Sequence, residues 1–466
     1  MTTQDLTRLL YQRYIQPTEN KQETDIGVEF EMPMVNLEKR AVDYDVSHAL
    51  TAAFLKAFGF HAAGTDEDGH IYSAVNTENG DVFSYDCSYQ NLELSFGRER
   101  RLDAIEQRFV QYYTFIQSFL QPYGHSLTGM GINPLRKWNH NIPIQNGRYK
   151  MLYHHLQSYA KYAQQPMYFH HYPDFGMFAS ASQVQLDVPR SKIVQVINTF
   201  NRLEPIKALL FSNSVLLGEN ENLLCSRDML WENSTHGINP HNVGMYECTL
   251  ADEDELLRYL STTAIYCVER DGYYVNFPPL KLYEYFNSQS VEGEFMDGSR
   301  TRRLTFKPEA GDITYLRTFK FEDLTYRGTI EFRSACCQPV RDAMTVAAFH
   351  LGLLGQVDQL AALLENDKQL YHNGCTPSEL RKILVCRQLP AFIDQDHLYD
   401  LTGQVLAICR EGLEQRGNGE EQYLAPLYRR LENRTNPASA MLTRLENGES
   451  LLSIIHDYAA LPAGKE

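Results

Sequence analysis

The stretch DIGVEFEMP at residues 25–33 places Glu29 and Glu31 two positions apart among apolar residues. Side chains at i and i+2 of a β-strand point to the same face, so the two carboxylates share one face and the apolar side chains share the other. Adjacent like charges repel each other, and a buried charge without a partner is costly. Bound cations are the usual compensation, so this strand is a candidate for metal-dependent chemistry.

Two further strand-like segments place an acid beside apolar residues in the same way. In YDCSYQNLELSFG, Glu93 lies between two leucines, and in RGTIEFRS, Glu331 shares a face with Arg333. Asp86 precedes Glu93 by seven residues, an odd number, so on one regular strand the two side chains would point to opposite faces. Asp86 can therefore join Glu93 only from the loop that enters the strand or through a β-bulge. A fourth strand, SASQVQLDV, places three oxygen-bearing side chains on one face: Gln183, Gln185 and Asp187.

A single glutamate on a strand is usually solvated, and that interpretation stays open for each acid taken alone. The repetition on three strands favours a shared metal site, and oxygen ligands without His or Cys spacing favour Mg²⁺ or Mn²⁺ over zinc. Arginine forks suit phosphate and carboxylate groups. Those in or beside loops and strand faces are Arg148, Arg227, Arg300, Arg302, Arg303, Arg317, Arg327 and Arg333. Surface salt bridges better explain Arg300, Arg302 and Arg303. The other arginines, taken together with acids that hold metal ions, indicate phosphoryl transfer.

The elements that must position these residues indicate an α+β fold. Strand patterns dominate residues 25–100, with a helix around 45–58, and the segment YKMLYHHLQSYAKYA has helical spacing. Residues 287–318 are expected to form a polar, Arg-rich loop, and residues from about 340 onward to be mostly helical. Strands and helices do not alternate in a regular βαβ rhythm. The sequence has neither a GxGxxG after a strand nor a GxxxxGK[ST], so neither common nucleotide-binding loop is expected.

The composition is that of a soluble globular protein, with 466 residues, 43% hydrophobic and 22% charged. A formal charge of −16 argues against a nucleic-acid partner, because phosphate backbones require a clustered basic surface. The charged N-terminus predicts no signal peptide, and no run reaches the ~18 apolar residues of a membrane span. The nine cysteines are dispersed without CxxC spacing, which is typical of a reducing cytosol, so we expect a cytoplasmic protein.

Five ordered motifs between residues 25 and 345 give the chain a recognisable pattern. They are the Gly27-x-Glu29-x-Glu31 strand, the Asp86–Glu93 spacing, QNGRYKMLY, LLCSRDMLW and IEFRSACCQP. In these motifs the chain resembles the glutamate–cysteine ligase superfamily, the ATP-dependent carboxylate–amine ligases related to glutamine synthetase. The sequence departs from the pattern at Gln183, where many members place a metal-binding His, and in IEFRSACCQP, which lacks an acid often found after Arg-Ser.

The resemblance implies a mostly antiparallel, funnel-like, six-stranded sheet covered by helices. It implies an N-terminal helix and link at 1–24, a catalytic core at 25–345 and a helical region at 346–466 packed on that core. ATP would lie at one end of the sheet and the amino-acid substrates at the other, with two or three Mg²⁺ ions between them. The implied metal ligands are Glu29, Glu31, Asp86, Glu93, Gln183 and Glu331.

The resemblance also implies roles for six other residues. Arg333 and Arg148 would stabilise the transferring phosphoryl group, Lys150 and Arg327 would contact ATP, and the substrate would be bound by Arg227 and Gln185. The expected reaction joins the γ-carboxylate of glutamate to the amine of cysteine through an acyl phosphate. Two alternatives stay open, namely a ligase for a different amine acceptor and a member that binds ligand without turnover. The sequence does not indicate an oligomeric state.

Overall fold

The computed structural model describes residues 2–21, 24–162, 164–297 and 300–462, and in those ranges it contains fifteen strands. They are β1 (Ile26–Asn36), β2 (His61–Thr65), β3 (Ile71–Val75), β4 (Val82–Tyr85), β5 (Asn91–Glu99), β6 (His125–Leu127), β7 (Ser182–Asp187), β8 (Val243–Gly244), β9 (Ala264–Arg270), β10 (Tyr273–Lys281), β11 (Val291–Asp297), β12 (Arg300–Phe306), β13 (Phe319–Lys320), β14 (Glu322–Leu324) and β15 (Thr329–Phe332).

The same ranges contain fifteen α-helices, and the last seven of them follow the strands. They are α1 (Thr3–Leu10), α2 (Tyr44–Phe58), α3 (Leu102–Leu120), α4 (Gly147–Gln157), α5 (Ile193–Phe211), α6 (Ser226–Glu232), α7 (Glu253–Ser261), α8 (Leu282–Asn287), α9 (Thr345–Gly355), α10 (Val357–Asn366), α11 (Pro377–Leu384), α12 (Gln395–Arg416), α13 (Ala425–Glu432), α14 (Pro437–Glu446) and α15 (Leu451–Ala459). The predicted N-terminal helix, the helix near 45–58 and the helical C-terminal part are confirmed.

The main sheet is antiparallel, in the order β14-β15-β7-β1-β5-β4-β3-β2, with β6 pairing the far end of β1. The predicted α+β class and antiparallel pairing are therefore confirmed, but the expected six strands are wrong because the sheet has nine. The extra strands include the β2–β3–β4 meander, whose turns place Gly69 and Gly80 at positive φ. The sheet is open, since β14 and β2 form its two edges.

The strand β1 at the centre of the sheet explains why one face is polar and the other is apolar. Its residues Ile26, Val28, Phe30 and Met32 are buried in the main hydrophobic cluster. There the Phe30 ring packs on Phe109 of α3 at a centroid distance of 4.7 Å. Strand alternation then directs the intervening side chains, including the two glutamates of β1, to the opposite face. The helices cover the apolar face, and the polar face is left for a cavity.

A second, four-stranded sheet in the order β12-β11-β10-β9 lies between residues 264 and 306. The expectation of a polar loop over 287–318 is wrong for its central part, because β11 and β12 pair along their whole length. The arginines of β12 form ion pairs across this hairpin, Arg302 with Asp297 and Arg303 with Glu292. Charged residues on both faces hid the strand periodicity that would have identified the hairpin.

One hydrophobic cluster includes residues from α1, the main sheet and the C-terminal helices, for example Leu6, Phe30 and Leu406. The proposed division at residues 24 and 345 stays a prediction. Among the described helices, none alone has the length and hydropathy of a membrane span. Only the bent pair Val340–Gly355 and Val357–Asn366, which meet at 87°, passes that test jointly by length and composition.

Candidate active site

A cavity of about 500 Å³ lies over the polar face of the main sheet. All six predicted metal ligands line this cavity. Five of them are acids, which we call the cavity acids: Glu29, Glu31, Asp86, Glu93 and Glu331. The register of the sheet brings them together, since Glu31 lies opposite Glu93 and Glu331 lies opposite Gln185. The residues predicted from separate strands therefore form one cluster.

Asp86 reaches this cluster from the loop that joins β4 to β5. The chain leaves β4 at Tyr85, and Cys87 adopts a left-handed φ of 59°, which turns the backbone toward β5. Asp86 is near enough to Glu31 and Glu93 to raise the pKa of both carboxyl groups. The prediction that Asp86 can join Glu93 from the loop that enters the strand is therefore confirmed.

The Glu31 carboxylate is held by two hydrogen bonds from the neighbouring strand. The Ala181 N–H donates to Oε2 at 2.7 Å, and the Gln183 amide Nε2 donates to Oε1 at 2.5 Å. The other amide atom, Gln183 Oε1, is buried and has no hydrogen-bond partner among the described residues. This unpartnered oxygen beside a carboxylate is a free donor for a cation.

Gln185 lies two residues further along β7 than Gln183, and both the nitrogen and the oxygen of its side-chain amide form hydrogen bonds. Its Nε2 donates to Glu29 at 2.7 Å and to Glu331 at 3.2 Å. Its Oε1 accepts from Arg327 Nη2 at 2.8 Å and from Thr329 Oγ1 at 3.2 Å. Gln185 therefore orients two cavity acids and Arg327, and its assignment to substrate binding stays a prediction.

Burial raises the pKa of four cavity acids, and repulsion from neighbouring carboxylates adds to it for Glu29, Glu31 and Glu93. Burial is the main cause of the raised pKa of Glu29, and Glu331 and Glu93 add to it. Burial and then Asp86 raise the pKa of Glu31 to about 8, although Arg227 opposes them. The pKa values of Asp86 and Glu93 are also raised, mainly by burial. In this protein such a group of carboxyls either holds protons or holds cations.

The four arginines with predicted site roles, Arg148, Arg227, Arg327 and Arg333, line the cavity with the acids. Arg333 donates from Nη1 to Glu331 Oε2 at 2.6 Å. Arg227, which is 7% exposed, donates from Nη1 to the Ala335 carbonyl at 3.2 Å, while its Nε has no partner among the described residues. Arg148 lies at the start of α4. The cavity thus offers guanidinium groups at several points around its acids, as anionic substrates would require.

Lys150 and Gln185 are the two predicted site residues that do not line the cavity. Gln185 contacts its acids, whereas Lys150 does not. The Lys150 ammonium group forms an ion pair with Glu67 on the turn between β2 and β3. Arg148, Tyr149, Met151 and Leu152 of α4 line the cavity. At about 3.6 residues per turn these four residues lie on one side of the helix and Lys150 lies on the other. Its assignment to ATP stays a prediction.

Sequence reasoning missed several residues of the cavity. Asp323 of β14 lies opposite Glu331, and burial raises its pKa to about 6 although Arg333 lowers it. Its neighbour Glu322 faces away, and two adjacent acids in FEDLT gave no simple alternation. Arg13 and Tyr326 also line the cavity, and both lie in segments that carried no recognisable motif.

The donor set fits a hard divalent cation. Carboxylate and amide oxygens are the ligands that Mg²⁺ and Mn²⁺ prefer, and none of the predicted ligands is a thiol or an imidazole. The unpartnered Gln183 Oε1 and the raised pKa values of Glu29 and Glu31 are the local signs that a positive group belongs among the cavity acids. Glu29, Glu31, Asp86, Glu93, Gln183 and Glu331 would hold it.

Comparison with known proteins gives distant relatives over most of the chain. A plant protein described as a chloroplastic glutamate–cysteine ligase, from Brassica juncea, is 23% identical over 348 residues, which cover 72% of this chain and 61% of that protein. The Arabidopsis thaliana protein of the same description is 22% identical over 348 residues and covers 72% and 60%. The chain therefore spans about three fifths of the length of these relatives.

Among solved structures, a glutamate–cysteine ligase from Francisella tularensis in complex with AMP aligns with a TM-score of 0.48 at 13% identity, over 96% of this chain and 92% of that chain. A bifunctional glutathione synthetase from Pasteurella multocida aligns with a TM-score of 0.44 at 13% identity, over 98% of this chain and 52% of that chain. The family model described as glutamate-cysteine ligase family 2 (GCS2) matches residues 25–456, which include all of the cavity acids. The sequence motifs and the clustered acids thus belong to a member of glutamate-cysteine ligase family 2.

Proposed function

We propose that the protein is an ATP- and Mg²⁺-dependent ligase that joins the γ-carboxylate of glutamate to an amine through an acyl phosphate. The observation that carries the proposal is the convergence of the five cavity acids and the four predicted arginines on one cavity in a chain of this family. Metal-holding acids and anion-binding arginines are the parts that phosphoryl transfer needs, because its catalysis is mostly positioning and charge stabilisation.

The part of the cavity lining around Tyr326 suits the nucleotide. Tyr326 is 54% exposed there, and the guanidinium groups of Arg13 and Arg327 each lie 5.2 Å from its ring centroid. An exposed ring can stack on a base, and two cations beside it can bind phosphates. This arrangement supports the assignment of Arg327 to ATP.

The cavity acids would hold Mg²⁺, which on binding neutralises the phosphate charge and polarises the transferring group. Arg333 is the residue best placed to stabilise that group, because its ion pair with Glu331 fixes it beside the acids. Arg227, buried and with a free Nε, would bind the α-carboxylate of glutamate. Arg148 faces the same cavity from α4 and is the second candidate for stabilising charge.

The reaction needs no covalent nucleophile from the protein. A carboxylate oxygen is a poor leaving group, so transfer of the γ-phosphoryl of ATP to glutamate makes an acyl phosphate and ADP. The amine then attacks the γ-carbonyl carbon, the C–N bond forms, the C–O bond to phosphate breaks and the amine proton passes to solvent. Preorganised arginines lower the barrier because the charge develops beside them.

If cysteine is the acceptor, the protein is a glutamate–cysteine ligase, which catalyses the first step of glutathione synthesis. If the acceptor is a different amine, the protein is a related carboxylate–amine ligase. A member without turnover is the third possibility, and the retention of all five acids argues against it. We propose that its partners are small molecules and that the protein is cytoplasmic.

The deciding experiment incubates the full chain with ATP, Mg²⁺, glutamate and a panel of amines, with phosphate release and product mass as readouts. Phosphate release with cysteine alone supports glutamate–cysteine ligase activity. Release with another amine alone supports the second acceptor class. The absence of release with every pair, in protein that is folded by circular dichroism, overturns the proposal.

A further inference from the structure

Arg227, which would bind the α-carboxylate of glutamate, is placed by two separate segments of the chain. Its backbone belongs to the start of α6. Its Nη1 donates to the carbonyl groups of Ala335 at 3.2 Å and Ser334 at 3.4 Å, in the segment that follows β15. The position of the Arg227 guanidinium therefore depends on how α6 and the segment after β15 are held relative to each other.

Arg381 of α11, in the helical C-terminal part of the chain, fixes the first of these segments. Its Nε and Nη2 donate to the two carboxylate oxygens of Asp228, at 2.7 and 3.0 Å. Asp228 directly follows Arg227 in α6. A guanidinium and a carboxylate joined by two parallel hydrogen bonds have a defined mutual orientation as well as a favourable energy. This fork therefore holds the turn of α6 that carries Arg227.

The remaining nitrogen of the same guanidinium reaches the second segment through Glu204. Arg381 Nη1 donates to Glu204 Oε2 at 2.5 Å and to the Glu204 carbonyl at 2.9 Å. Glu204 Oε1 in turn accepts from the Ser334 hydroxyl at 2.9 Å. Ser334 also provides one of the two carbonyl groups that Arg227 contacts. One side chain of α11 thus connects both segments that place Arg227.

The Arg381 guanidinium lies behind the cavity wall. Its Cζ lies 4.5 Å from the ring centroid of Phe321, which lines the cavity, whereas Arg381 itself does not. The Arg381 side chain is 4% exposed, so water competes little for its hydrogen bonds. An effect of Arg381 on a substrate must therefore pass through the residues that it holds.

Charge compensation alone does not require this arrangement. Lys207 already pairs with Glu204, and an ammonium group in place of the guanidinium would compensate either carboxylate. Only a planar group with several donors serves Asp228, the Glu204 side chain and the Glu204 carbonyl at the same time. The shape of the Arg381 side chain, as well as its charge, therefore matters for the position of Arg227.

We propose that Arg381 is a positioning residue, which holds Arg227 in the orientation that binds the α-carboxylate of glutamate. This inference rests on the proposed ligase function and gives the helical C-terminal part a role in substrate binding. The α-carboxylate does not react, so a weaker contact with it affects the ground state and the transition state alike. The expected signature is a raised KM for glutamate, with kcat and the KM for ATP unchanged.

The test uses Arg381→Lys, which keeps the positive charge and removes the fork. The matched control is Arg270→Lys, because Arg270 forms an equivalent fork with Asp312, at 2.7 Å from both of its Nη atoms. Arg270 Cζ also lies 4.9 Å from the ring centroid of Phe306. None of these three control residues lines the cavity. A second variant, Ser334→Ala, removes only the hydroxyl contact with Glu204 and keeps every ion pair of Arg381.

Isothermal titration with glutamate, in the presence of Mg²⁺ and a non-hydrolysable ATP analogue, measures binding without turnover. Phosphate release gives the KM values for glutamate and ATP, and urea unfolding gives the stability of each variant. We expect Arg381→Lys to weaken glutamate binding and raise its KM about 10- to 100-fold, the effect of a misplaced binding group. Ser334→Ala should show a smaller loss that is also confined to glutamate. Arg270→Lys should lose stability but bind both substrates as the wild type does.

Wild-type affinity for glutamate in folded Arg381→Lys overturns the inference, as does an equal rise in the KM for ATP or an equal loss in Arg270→Lys. If Arg381→Lys does not fold, Ser334→Ala decides in the same way. A wild type that binds glutamate but releases no phosphate with any amine overturns the ligase function alone, and the titrations still decide the inference. A wild type that does not bind glutamate overturns both.

Discussion

Two groups of buried charges lie on opposite faces of the β14–β15 edge, and they are compensated in different ways. The cavity acids face the cavity with Asp323. On the other face lies what we call the paired cluster: Glu204, Lys207, Asp228, Glu322 and Arg381, of which Asp228 also reaches the cavity wall. Consecutive residues of β14, Glu322 and Asp323, belong to different groups because successive strand side chains point to opposite faces.

In the paired cluster each charge has a partner inside the protein. Arg381 donates from Nε to Asp228 at 2.7 Å and from Nη2 at 3.0 Å, and it also pairs with Glu204. Burial opposes ionisation of Glu204, but Lys207 and Arg381 outweigh it and lower its pKa to about 2. Burial and Glu204 raise the pKa of Glu322. With Glu322 protonated, the cluster carries two positive and two negative charges.

In the cavity the same burial has the opposite result, because like charges adjoin one another. Burial and neighbouring carboxylates raise the pKa of Glu29 and Glu31. The comparison teaches that burial alone does not distinguish a structural charge from a functional one. The deciding feature is whether the protein itself supplies the counter-charge. A group that it leaves uncompensated is a place where a ligand completes the structure.

The largest contrast should come from Glu29→Gln in the cavity. The substitution keeps the shape of the side chain but removes a carboxylate ligand, so we expect turnover to fall at least roughly 1,000-fold, on the order of 4 kcal/mol in the activation barrier. The free energy of unfolding should not fall, because a repelling charge is removed. Phosphate release and urea unfolding measure the two effects. Glu292→Gln, on an exposed residue of β11, is the control, and near-normal turnover of Glu29→Gln would contradict its role as a ligand.

In the paired cluster, Arg381→Met should lower the free energy of unfolding, the quantity that Glu29→Gln should not lower. The change leaves Asp228 without an ion-pair partner among the described residues and leaves Glu204 with Lys207 alone. Breaking a buried pair in this way costs about 3–5 kcal/mol of unfolding free energy. Urea unfolding should show this loss. The matched control is Arg410→Met, since Arg410 and Glu414 form an exposed pair of α12 at 57% and 51% exposure. Exposed pairs contribute about 0–1 kcal/mol, so equal losses in the two variants would refute the distinction.

Gln183 tests whether an unpartnered neutral donor belongs to the cation site. Gln183→Leu removes the free Oε1 and also the hydrogen bond to Glu31, so we expect Mg²⁺ affinity to fall about 10- to 100-fold, the range found when groups that orient ligands are removed. Isothermal titration with Mg²⁺ measures the change. Gln415→Leu, on the exposed face of α12, should leave the affinity unaltered. Wild-type affinity in Gln183→Leu would exclude Gln183 from the site.

The strands that carry the cavity acids were predictable because alternation and a buried apolar face leave little choice of orientation. Spacing alone placed Glu29, Glu31, Glu93 and Glu331 on the polar faces of their own strands, and the register of the sheet brings those faces together. The number of strands could not, because edge strands such as β2 and β12 have exposed or charged residues on both faces. Alternation is lost where neither face is buried.

The residues missed in the site share a different cause. Asp323 and Tyr326 reach the cavity through the pairing of β14 with β15, which is a long-range contact of very short segments with the rest of the sheet. The sequence also gives no local sign that Arg381, in the helical C-terminal part, pairs with Asp228 beside the cavity. Local patterns determine the face of a strand, but only tertiary packing determines which loops and helices close over it.

Stability against pH should distinguish the two groups by the sign of its slope. The folded pKa of Glu31, about 8, lies above its unfolded value near 4.5, so between these values the folded state holds more protons and the free energy of unfolding falls as pH rises. The folded pKa of Glu204, about 2, lies below its unfolded value. Its stabilisation is therefore present above pH 4.5 and is lost as the pH falls toward 2.

Urea unfolding of the full chain in EDTA, at intervals from pH 5 to 8, measures the first slope. Glu31→Gln cannot ionise, so its stability relative to the wild type should increase over this range by at most about 1.4 kcal/mol for each pH unit. Added Mg²⁺ should stabilise the wild type most at pH 8, where a cation competes with fewer protons. A difference between the two proteins that is constant with pH would mean that Glu31 is already ionised at pH 5, and that the arginines compensate the cavity acids without a cation.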